Sequence, residues 1–363
     1  MRYIEEFRNR QIISRLVKKL KGLKISLPLN FMEVCGTHTV SFFKFGIDKI
    51  IPSQIKIISG PGCPVCVSEE DFIDKAIYYA QNKEMVVVSF ADMLRVPGTN
   101  STLEKERAKG ADIRLVYSVW QALEMAEENS AKKFLFLAVG FETTAPTVAL
   151  TVLTAKKRKI KNLFFLLSLK RIPPVMEYLL RDKDLNLQGF ICPGHVSAII
   201  GVKPYGLMAR KYKAGFCIAG FEPVDILTAI YVLAKQAVNK EFMVFNQYRR
   251  LVKEEGNLQA QKILKEVFLI DDVRWRGVGL IPQSGFKFKK FLEFFDIEKI
   301  LPIPQKIRRK NNVCLCGEVI KGKVSPLECP LFSEKCNPRF PMGPCMVSME
   351  GACHAYYRYQ RKN

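Results

Sequence analysis

Residues 134–144 read FLFLAVGFETT, and this stretch decides the fold class. An unbroken apolar run of this length, followed by glycine, is typical of a strand buried on both faces of a sheet. Similar short runs recur along the chain, and the predicted strands are 55–59, 85–90, 134–139, 163–167, 189–192 and 215–219. Helical patterns over 69–82, 119–128 and 224–238 lie between or after them. This alternation predicts α/β units with mostly parallel, Rossmann-like sheets.

Two short echoes suggest an internal duplication. The Gly-Phe-Glu that begins at Gly140 returns at Gly220, and the Pro-Gly of 61–62 returns at 193–194. They predict two similar α/β lobes around a cleft, 31–155 and 156–240, although a match this short also arises by chance. Residues 1–30 are expected to supply an amphipathic helix that packs with the C-terminal domain. Residues 241–363 are expected to be a helical region that ends in a smaller, mainly helical cysteine-rich domain.

Length and charge narrow the class of protein. A chain of 363 residues predicts two or three domains, and its longest apolar runs are too short to span a membrane. Charges throughout the first twenty residues argue against a signal peptide, so a reducing, cytoplasmic setting is expected. The net charge is +22, but the basic residues are spread along the chain without a nucleic-acid motif. Solvated loops explain this charge best, and a docking surface for an acidic protein comes second.

Six of the eleven cysteines lie in the last fifty residues, at 314, 316, 329, 336, 345 and 353. Disulfides need an oxidising compartment, so metal binding is the better interpretation. Structural zinc sites usually use paired C-x2-C knuckles, which this segment lacks. Iron–sulfur clusters accept longer and irregular spacing. The segment therefore favours a [4Fe–4S] cluster with two thiols to spare, with zinc and plain buried cysteines as the alternatives.

Two earlier loops also carry cysteine. Cys35 and His38 can point the same way from a first helical turn, and thiolate with imidazole suits iron. A buried cysteine with a structural histidine, or a Cys–His hydrolase, are the alternatives there. Cys63 and Cys66 form a C-x-x-C just before a predicted helix, where thiol pKa values are lowered. This pattern indicates a redox dithiol, with half of a zinc site as the alternative.

Further polar residues follow predicted strands, at the edge where open α/β sheets bind ligands. Each of these turns is more often ordinary than functional, but together with the two cysteine loops they could line one cleft. The candidate supporting residues are Asp92, Arg95, Glu142, Thr143, Thr144 and His195.

Taken together, these motifs resemble the HypD family of hydrogenase maturation proteins. The matching segments are EVCGTHT from residue 33, GPGCPVC from 60, DMLRVPG from 92, GFETTAPT from 140, CPGHVSAIIG from 192 and CLCGEVIKGKV from 314. The resemblance covers the chain from about residue 31 to the end. Its cluster pattern falls on Cys314, Cys329, Cys336 and Cys353, which the resemblance makes the [4Fe–4S] ligands.

The resemblance also implies roles for the remaining residues. Cys316 and Cys345 would be a dithiol or disulfide beside the cluster, similar to that of ferredoxin:thioredoxin reductase. Cys35 would bind a mononuclear iron, shared with a cysteine of a small HypC-type chaperone, and His38 would support that site. Cys63 and Cys66 would be the nearby redox dithiol, and Glu350 matches a family glutamate.

On such a scaffold the Fe(CN)2CO unit of [NiFe]-hydrogenase would be assembled, with cyanide delivered by a HypE-type donor. Whether such a scaffold counts as an enzyme stays open. The main alternative is a cluster-dependent protein disulfide reductase, which explains the cluster and both dithiols but leaves Cys35 and His38 without a role. A third class is a structural iron–sulfur or zinc protein that binds nucleic acid through its charge.

Overall fold

Parallel strands dominate the molecule, as the apolar runs predict. The computed structural model describes residues 5–303 and 313–360. Its strands are β1 (Leu29–Glu33), β2 (Ile55–Ser59), β3 (Met85–Ser89), β4 (Ile113–Leu115), β5 (Lys133–Gly140), β6 (Leu163–Leu169), β7 (Leu187–Pro193), β8 (Gly215–Ala219), β9 (Val244–Asn246), β10 (Phe268–Trp275) and β11 (Gly279–Phe288).

Helices connect most of these strands. They are α1 (Arg10–Lys21), α2 (Gly36–Lys44), α3 (Pro64–Val67), α4 (Glu70–Ala80), α5 (Leu103–Ala108), α6 (Val119–Glu128), α7 (Ala145–Lys157), α8 (Ile172–Arg181), α9 (Gly194–Ile200), α10 (Lys203–Tyr212), α11 (Pro223–Asn239), α12 (Leu258–Val267), α13 (Ile297–Ile300), α14 (Cys316–Ile320), α15 (Pro344–Val347) and α16 (Ala352–Tyr359). Short 3-10 turns lie at Glu5–Arg8, Ile47–Lys49, Ala91–Met93, Lys183–Leu185, Lys290–Phe295 and Pro326–Glu328.

Two parallel sheets share one strand order. The first sheet runs β2-β1-β7-β8-β9 and the second runs β4-β3-β5-β6. When the strands of each sheet are counted in chain order, both sheets begin 2-1-3-4. Strand β5 is buried from Phe134 to Gly140, because helices cover both faces of its sheet. The expected α/β class with two similar Rossmann-like lobes is confirmed.

The two lobes do not follow one another along the chain. The strands of the second sheet, residues 85–169, are inserted between β2 and β7 of the first. The expected segments 31–155 and 156–240 therefore each contain strands of both sheets. Apolar strand patterns look alike in either sheet, so the sequence pattern does not show where the chain crosses between them.

Residues 241–303 contain an antiparallel hairpin where a helical region was expected. Strands β10 and β11 pair from Phe268–Phe288 to Trp275–Gly279. The hairpin lies beside β6, where the backbone N–H of Arg171 donates to Ser284 O at 2.7 Å. The exposed positions of β10 mix apolar Leu269 and Ile270 with charged Asp272 and Arg274, which hides the strand pattern.

The N-terminal helix packs on the first lobe. Asn9 caps α1, and the helix lies along α11. Its buried Leu20 belongs to an apolar core that also contains Ala355 of α16. Residues 1–4 of the expected helix lie outside the described residues. Across the described chain, no helix is both long enough and apolar enough to cross a membrane.

Candidate iron-binding cleft and cysteine cluster

The cleft lies at the point where the strand order of the first sheet reverses. From β1 the chain moves to β2 on one side, whereas from β7 it moves to β8 on the other. Connections that leave in opposite directions open a crevice at the carboxyl ends of the two strands. Cys35 follows β1 and His195 follows β7, so the crevice receives both side chains.

Polar residues from distant parts of the sequence line one cavity there. Its volume is about 470 Å³. Its polar lining comprises Cys35, Thr37, Thr143, Thr144, His195 and Glu350, and its apolar lining includes Val34, Phe141, Val196, Ile199 and Leu251. The hydroxyl of Thr37 donates to Glu350 at 2.8 Å, which joins the first lobe to the C-terminal segment. Four of the expected supporting residues, Thr143, Thr144, His195 and Glu350, are thus brought to Cys35.

Cys35 is a buried thiol at the start of α2. Its backbone is extended, with φ −152° and ψ 119°, and its N–H donates to the Glu33 carboxylate at 3.0 Å. Burial, reinforced by the nearby carboxyl groups of Glu350 and Glu33, raises the pKa of the Cys35 thiol to about 12. The free site therefore holds a neutral thiol, and a metal that binds must displace its proton.

Two glycines allow the cysteine loops to touch. A Cβ on Gly62 would lie 2.1 Å from the Cys35 nitrogen, and one on Gly36 would lie 2.4 Å from Glu350 O. The N–H of Gly36 donates to Gly62 O at 3.1 Å. The Cys35 loop, the Cys63 loop and the Glu350 turn are therefore in direct backbone contact.

His38 lies behind the cleft instead of in it. The side chain is buried, and Nε2 is 2.9 Å from Gly220 O. Because a carbonyl can only accept, Nε2 carries the hydrogen. Burial lowers the pKa of His38 to about 4. The imidazole in the cleft lining is that of His195.

Cys63 and Cys66 form a disulfide across the first turn of α3. Gly62 and Pro64 beside them line the cleft. On the other side, Cys66 Sγ lies 3.9 Å from the carbonyl oxygen of Pro344, the residue before Cys345. The disulfide therefore stands between the cleft and the C-terminal cysteine segment.

The C-terminal cysteines gather around short helices and turns. Cys316 and Cys345 are buried, unbonded, and 3.2 Å apart between their sulfurs. A Cβ on Gly343 would lie 2.7 Å from Cys314 Sγ and 3.6 Å from Cys316 Sγ. Burial and the neighbouring Cys353 and Cys329 raise the pKa of the Cys336 thiol. The expected ligands and the spare pair thus share one region of the tail.

The four expected cluster cysteines of the tail stand apart from one another. Among residues 5–303 and 313–360, no three His, Cys, Asp or Glu side chains converge on one ion position. A [4Fe–4S] cluster instead takes one thiolate at each iron, so its ligands stand apart. The N–H of Met342 approaches Cys336 Sγ at 3.4 Å, the kind of hydrogen bond that cluster sulfurs receive.

The remaining candidates have other partners. Asp92 lines a second cavity of about 450 Å³, where the order of the second sheet reverses between β3 and β5. Arg95 bonds the carbonyls of Pro338 and Arg339 at 2.9 and 2.8 Å. Glu142 is buried and accepts the N–H of Ile172 at the start of α8, at 3.1 and 3.2 Å. Burial raises the pKa of Glu142 to about 7. None of these three lines the Cys35 cleft.

Arg276 is a residue that the sequence did not point to. It lies at the tip of the β10–β11 hairpin, where its N–H donates to Val67 O at 3.0 Å and its Nε to Ser68 O at 2.7 Å. The next residue, Gly277, packs directly on Gly317 of α14. Hydrogen bonds with Cys314 and Cys345, together with this cation, lower the pKa of the Cys316 thiol. Had residues 268–288 been assigned as a hairpin from the sequence, Arg276 would have been expected at its tip.

Comparisons with known proteins identify the family of this chain. The model of the HypD family, described as the hydrogenase formation hypA family, matches residues 10–360. The chain belongs to the HypD family. The hydrogenase maturation factor HypD of Escherichia coli is 40% identical over 370 residues, covering 100% of this chain and 99% of the relative. The HypD of Cupriavidus necator is 37% identical, with 99% and 98% covered.

A third relative extends the range of sources. A Methanocaldococcus jannaschii protein named for hydrogenase expression and formation is 44% identical, with 96% of this chain and 95% of the relative covered. The similarity to HypD proteins therefore includes both lobes, the hairpin and the cysteine-rich tail.

Proposed function

We propose that this chain is a hydrogenase maturation factor that acts as a redox-active scaffold in the cytoplasm. On it the Fe(CN)2CO unit of [NiFe]-hydrogenase would be assembled, in complex with a small HypC-type chaperone and with cyanide from a HypE-type donor. The observation that carries the proposal is the cleft, where the Cys35 thiol, the His195 imidazole and the Glu350 carboxylate line one cavity of about 470 Å³.

Iron is the cargo of this site. A soft thiolate with an imidazole suits iron, and iron held by thiolate accepts strong-field ligands such as cyanide and CO. One protein thiolate and one imidazole leave coordination positions open. Cyanide, CO and a cysteine of the chaperone would fill them, and the opening of the cavity provides the access.

The Cys63–Cys66 pair has the stoichiometry that cyanide release requires. A carrier thiocyanate R–S–CN takes up two electrons and splits into RS⁻ and CN⁻. Two thiols supply those electrons when they close to a disulfide and release two protons. The disulfide form of this pair borders the cleft, so the electrons would be used where the iron is held.

The C-terminal cysteine segment would reduce the Cys63–Cys66 disulfide back to the dithiol. A [4Fe–4S] cluster on Cys314, Cys329, Cys336 and Cys353 supplies one electron at a time. Cys316 and Cys345, with their sulfurs 3.2 Å apart, can collect two electrons as a dithiol. Pro344 O lies 3.9 Å from Cys66 Sγ, which puts this pair next to the disulfide.

A protein disulfide reductase without mononuclear iron is the second candidate. The contact between the Cys66 region and the Cys345 region favours it, because such an enzyme needs a cluster-linked dithiol beside a disulfide. It gives no role to Cys35, His195 or Glu350. A requirement for Cys35 therefore separates the two functions.

The test is an anaerobic purification with the chaperone partner, followed by infrared spectroscopy and determination of iron and sulfide. The scaffold predicts CN and CO stretches and about five irons with about four acid-labile sulfides per chain. Alanine at any of the four cluster positions should remove the cluster absorption, whereas Cys316→Ala and Cys345→Ala should largely keep it. Stoichiometric zinc without sulfide, or a cluster without CN and CO bands, would contradict the proposal.

A further inference from the structure

Three aromatic rings lead from the interior of the first lobe to the cleft. The ring of His38 is 4.7 Å from that of Phe221, and the ring of Phe221 is 4.2 Å from that of His195. The interplanar angles are 32° and 30°, so each pair is tilted but face-adjacent. His38 is at the buried end of this row and His195 at the end that lines the cavity.

The buried end of the row is fixed by a hydrogen bond. Nε2 of His38 donates to Gly220 O at 2.9 Å, and Gly220 directly precedes Phe221. The other ring nitrogen, Nδ1, is buried and has no hydrogen-bond partner within the described chain. The bond from Nε2 to Gly220 O is therefore the hydrogen bond that fixes the orientation of this ring.

The loop that carries Phe221 is held from the other side too. Asp225 is fully buried and accepts from Arg250 Nη1 at 2.9 Å. A Cβ on Gly220 would lie 2.2 Å from an Asp225 oxygen and 2.7 Å from an Arg250 nitrogen. The backbone of the loop therefore has little freedom, and Phe221 presents a fixed ring to His195.

We propose that His38 and Phe221 are positioning residues that hold the imidazole of His195 in the cleft, and that His38 itself provides no ligand to the cargo. This rests on the proposed function in one respect, namely that His195 serves the iron. Aromatic rings in contact restrict one another beyond the burial of their surface. A group that must meet a reacting centre gains when its rotamer is locked by such packing.

The number of histidines makes a direct experiment possible. The chain has three, His38, His195 and His354, so selective ¹⁵N and ¹³C labelling of histidine gives three ring signals in the full-length protein. In the wild-type protein His38 should be the Nε2–H tautomer, and the ring protons of His195 should be shifted upfield by Phe221. Phe221→Leu should abolish that shift, and Phe221→Tyr should keep it.

Variants of His38 test whether its contact with Phe221 affects His195. His38→Leu should move the His195 signals, because Phe221 loses its support, while His38→Phe should preserve the stack and move them less. His354 is the internal control, since it lies in α16 with its Nδ1 3.1 Å from Met346 O, and its signals should stay in place. Wild-type His195 signals in both leucine variants would overturn the proposal.

A titration with Fe²⁺ alone tests the claim that His38 provides no ligand to the cargo. Paramagnetic broadening should affect His195 before His38, and broadening of His38 first would refute the assignment. The signals in the iron-free protein do not depend on cargo assembly. A failure of the scaffold function would therefore leave the NMR result for the three rings unchanged. Conversely, unchanged His195 signals in the variants would refute only the role of the aromatic row and not the scaffold function.

Discussion

The two Gly-Phe-Glu segments use the same three residues for different purposes. After β5, Phe141 lines the cleft and stacks on Trp275 at 5.9 Å, while Glu142 accepts the N–H of Ile172 at the start of α8. After β8, Phe221 lies between His38 and His195. Glu222 forms an ion pair with Arg8, whose Nη2 donates to Glu222 Oε1 at 2.9 Å.

The two segments also occupy unequal places in their sheets. Strand β5 is third in chain order within its sheet, whereas β8 is fourth within the other. The echo therefore does not record the similarity of the lobes, which lies in their shared 2-1-3-4 strand order. In both segments the glycine lies in close contact with a neighbouring side chain, the phenylalanine packs on other rings, and the acid lies at the start of a helix.

The largest expected difference concerns the acid that holds the β8 loop. Asp225→Ala leaves Arg250 without its buried partner and should lower the free energy of unfolding by about 3 kcal/mol. Chemical denaturation measures this loss. The matched control is Glu84→Ala, which breaks the exposed pair with Lys133 and should cost under about 1 kcal/mol. Equal losses of unfolding free energy in both variants would mean that the Asp225–Arg250 pair stabilises the β8 loop no more than an exposed ion pair does.

The glycine of the same loop should show a smaller effect. In Gly220→Ala the new methyl group meets the Asp225–Arg250 pair, so we expect a loss of about 2 kcal/mol. Gly206 lies inside α10 with nothing within 4 Å of its added Cβ, so Gly206→Ala should stabilise the protein by up to about 1 kcal/mol. Thermal melting of both variants tests the contrast, which fails if the two shift in the same direction.

The acid of the β5 loop should give the smallest effect and a pH dependence. The pKa of Glu142 is raised from 4.5 to about 7, so folding favours its protonated form. Its stabilisation is complete below about pH 4.5 and is lost as the pH rises through 7. Glu142→Gln cannot ionise, so its stability relative to wild type should increase between pH 5 and 8 by about 1 kcal/mol or more. A difference that is constant with pH would show that Glu142 is already ionised.

Local patterns predicted most of the parallel strands and not their assembly. All six predicted strands exist, and β2 and β8 have the predicted bounds. Strand β1 was missed because Leu29–Glu33 mixes polar Asn30 and Glu33 into a short run. The insertion of one sheet into the other depends on where connections run, and short apolar strands carry no signal for that.

The motifs named both His38 and His195 as candidates near Cys35, and the structure gives the two histidines different places. His38 is near Cys35 in sequence, and three-residue spacing suggested a shared face. The start of α2 instead turns His38 toward Gly220 O, and His195 reaches the cavity from the neighbouring strand β7. The strand ends were expected to line one cleft, but the choice of His195 depends on the adjacency of β1 and β7, which the apolar strand patterns do not give.

The central claim is that Cys35 holds the iron cargo. The most direct measurement is the infrared spectrum of the anaerobically co-purified complex for wild type, Cys35→Ala and Cys217→Ala. Cys217 is a fully buried cysteine within β8 and serves as the control. The account predicts that Cys35→Ala loses the CN and CO bands while it keeps the fold and the cluster absorption, and that Cys217→Ala retains them. Bands of wild-type strength in Cys35→Ala would contradict the scaffold and leave the disulfide reductase as the function.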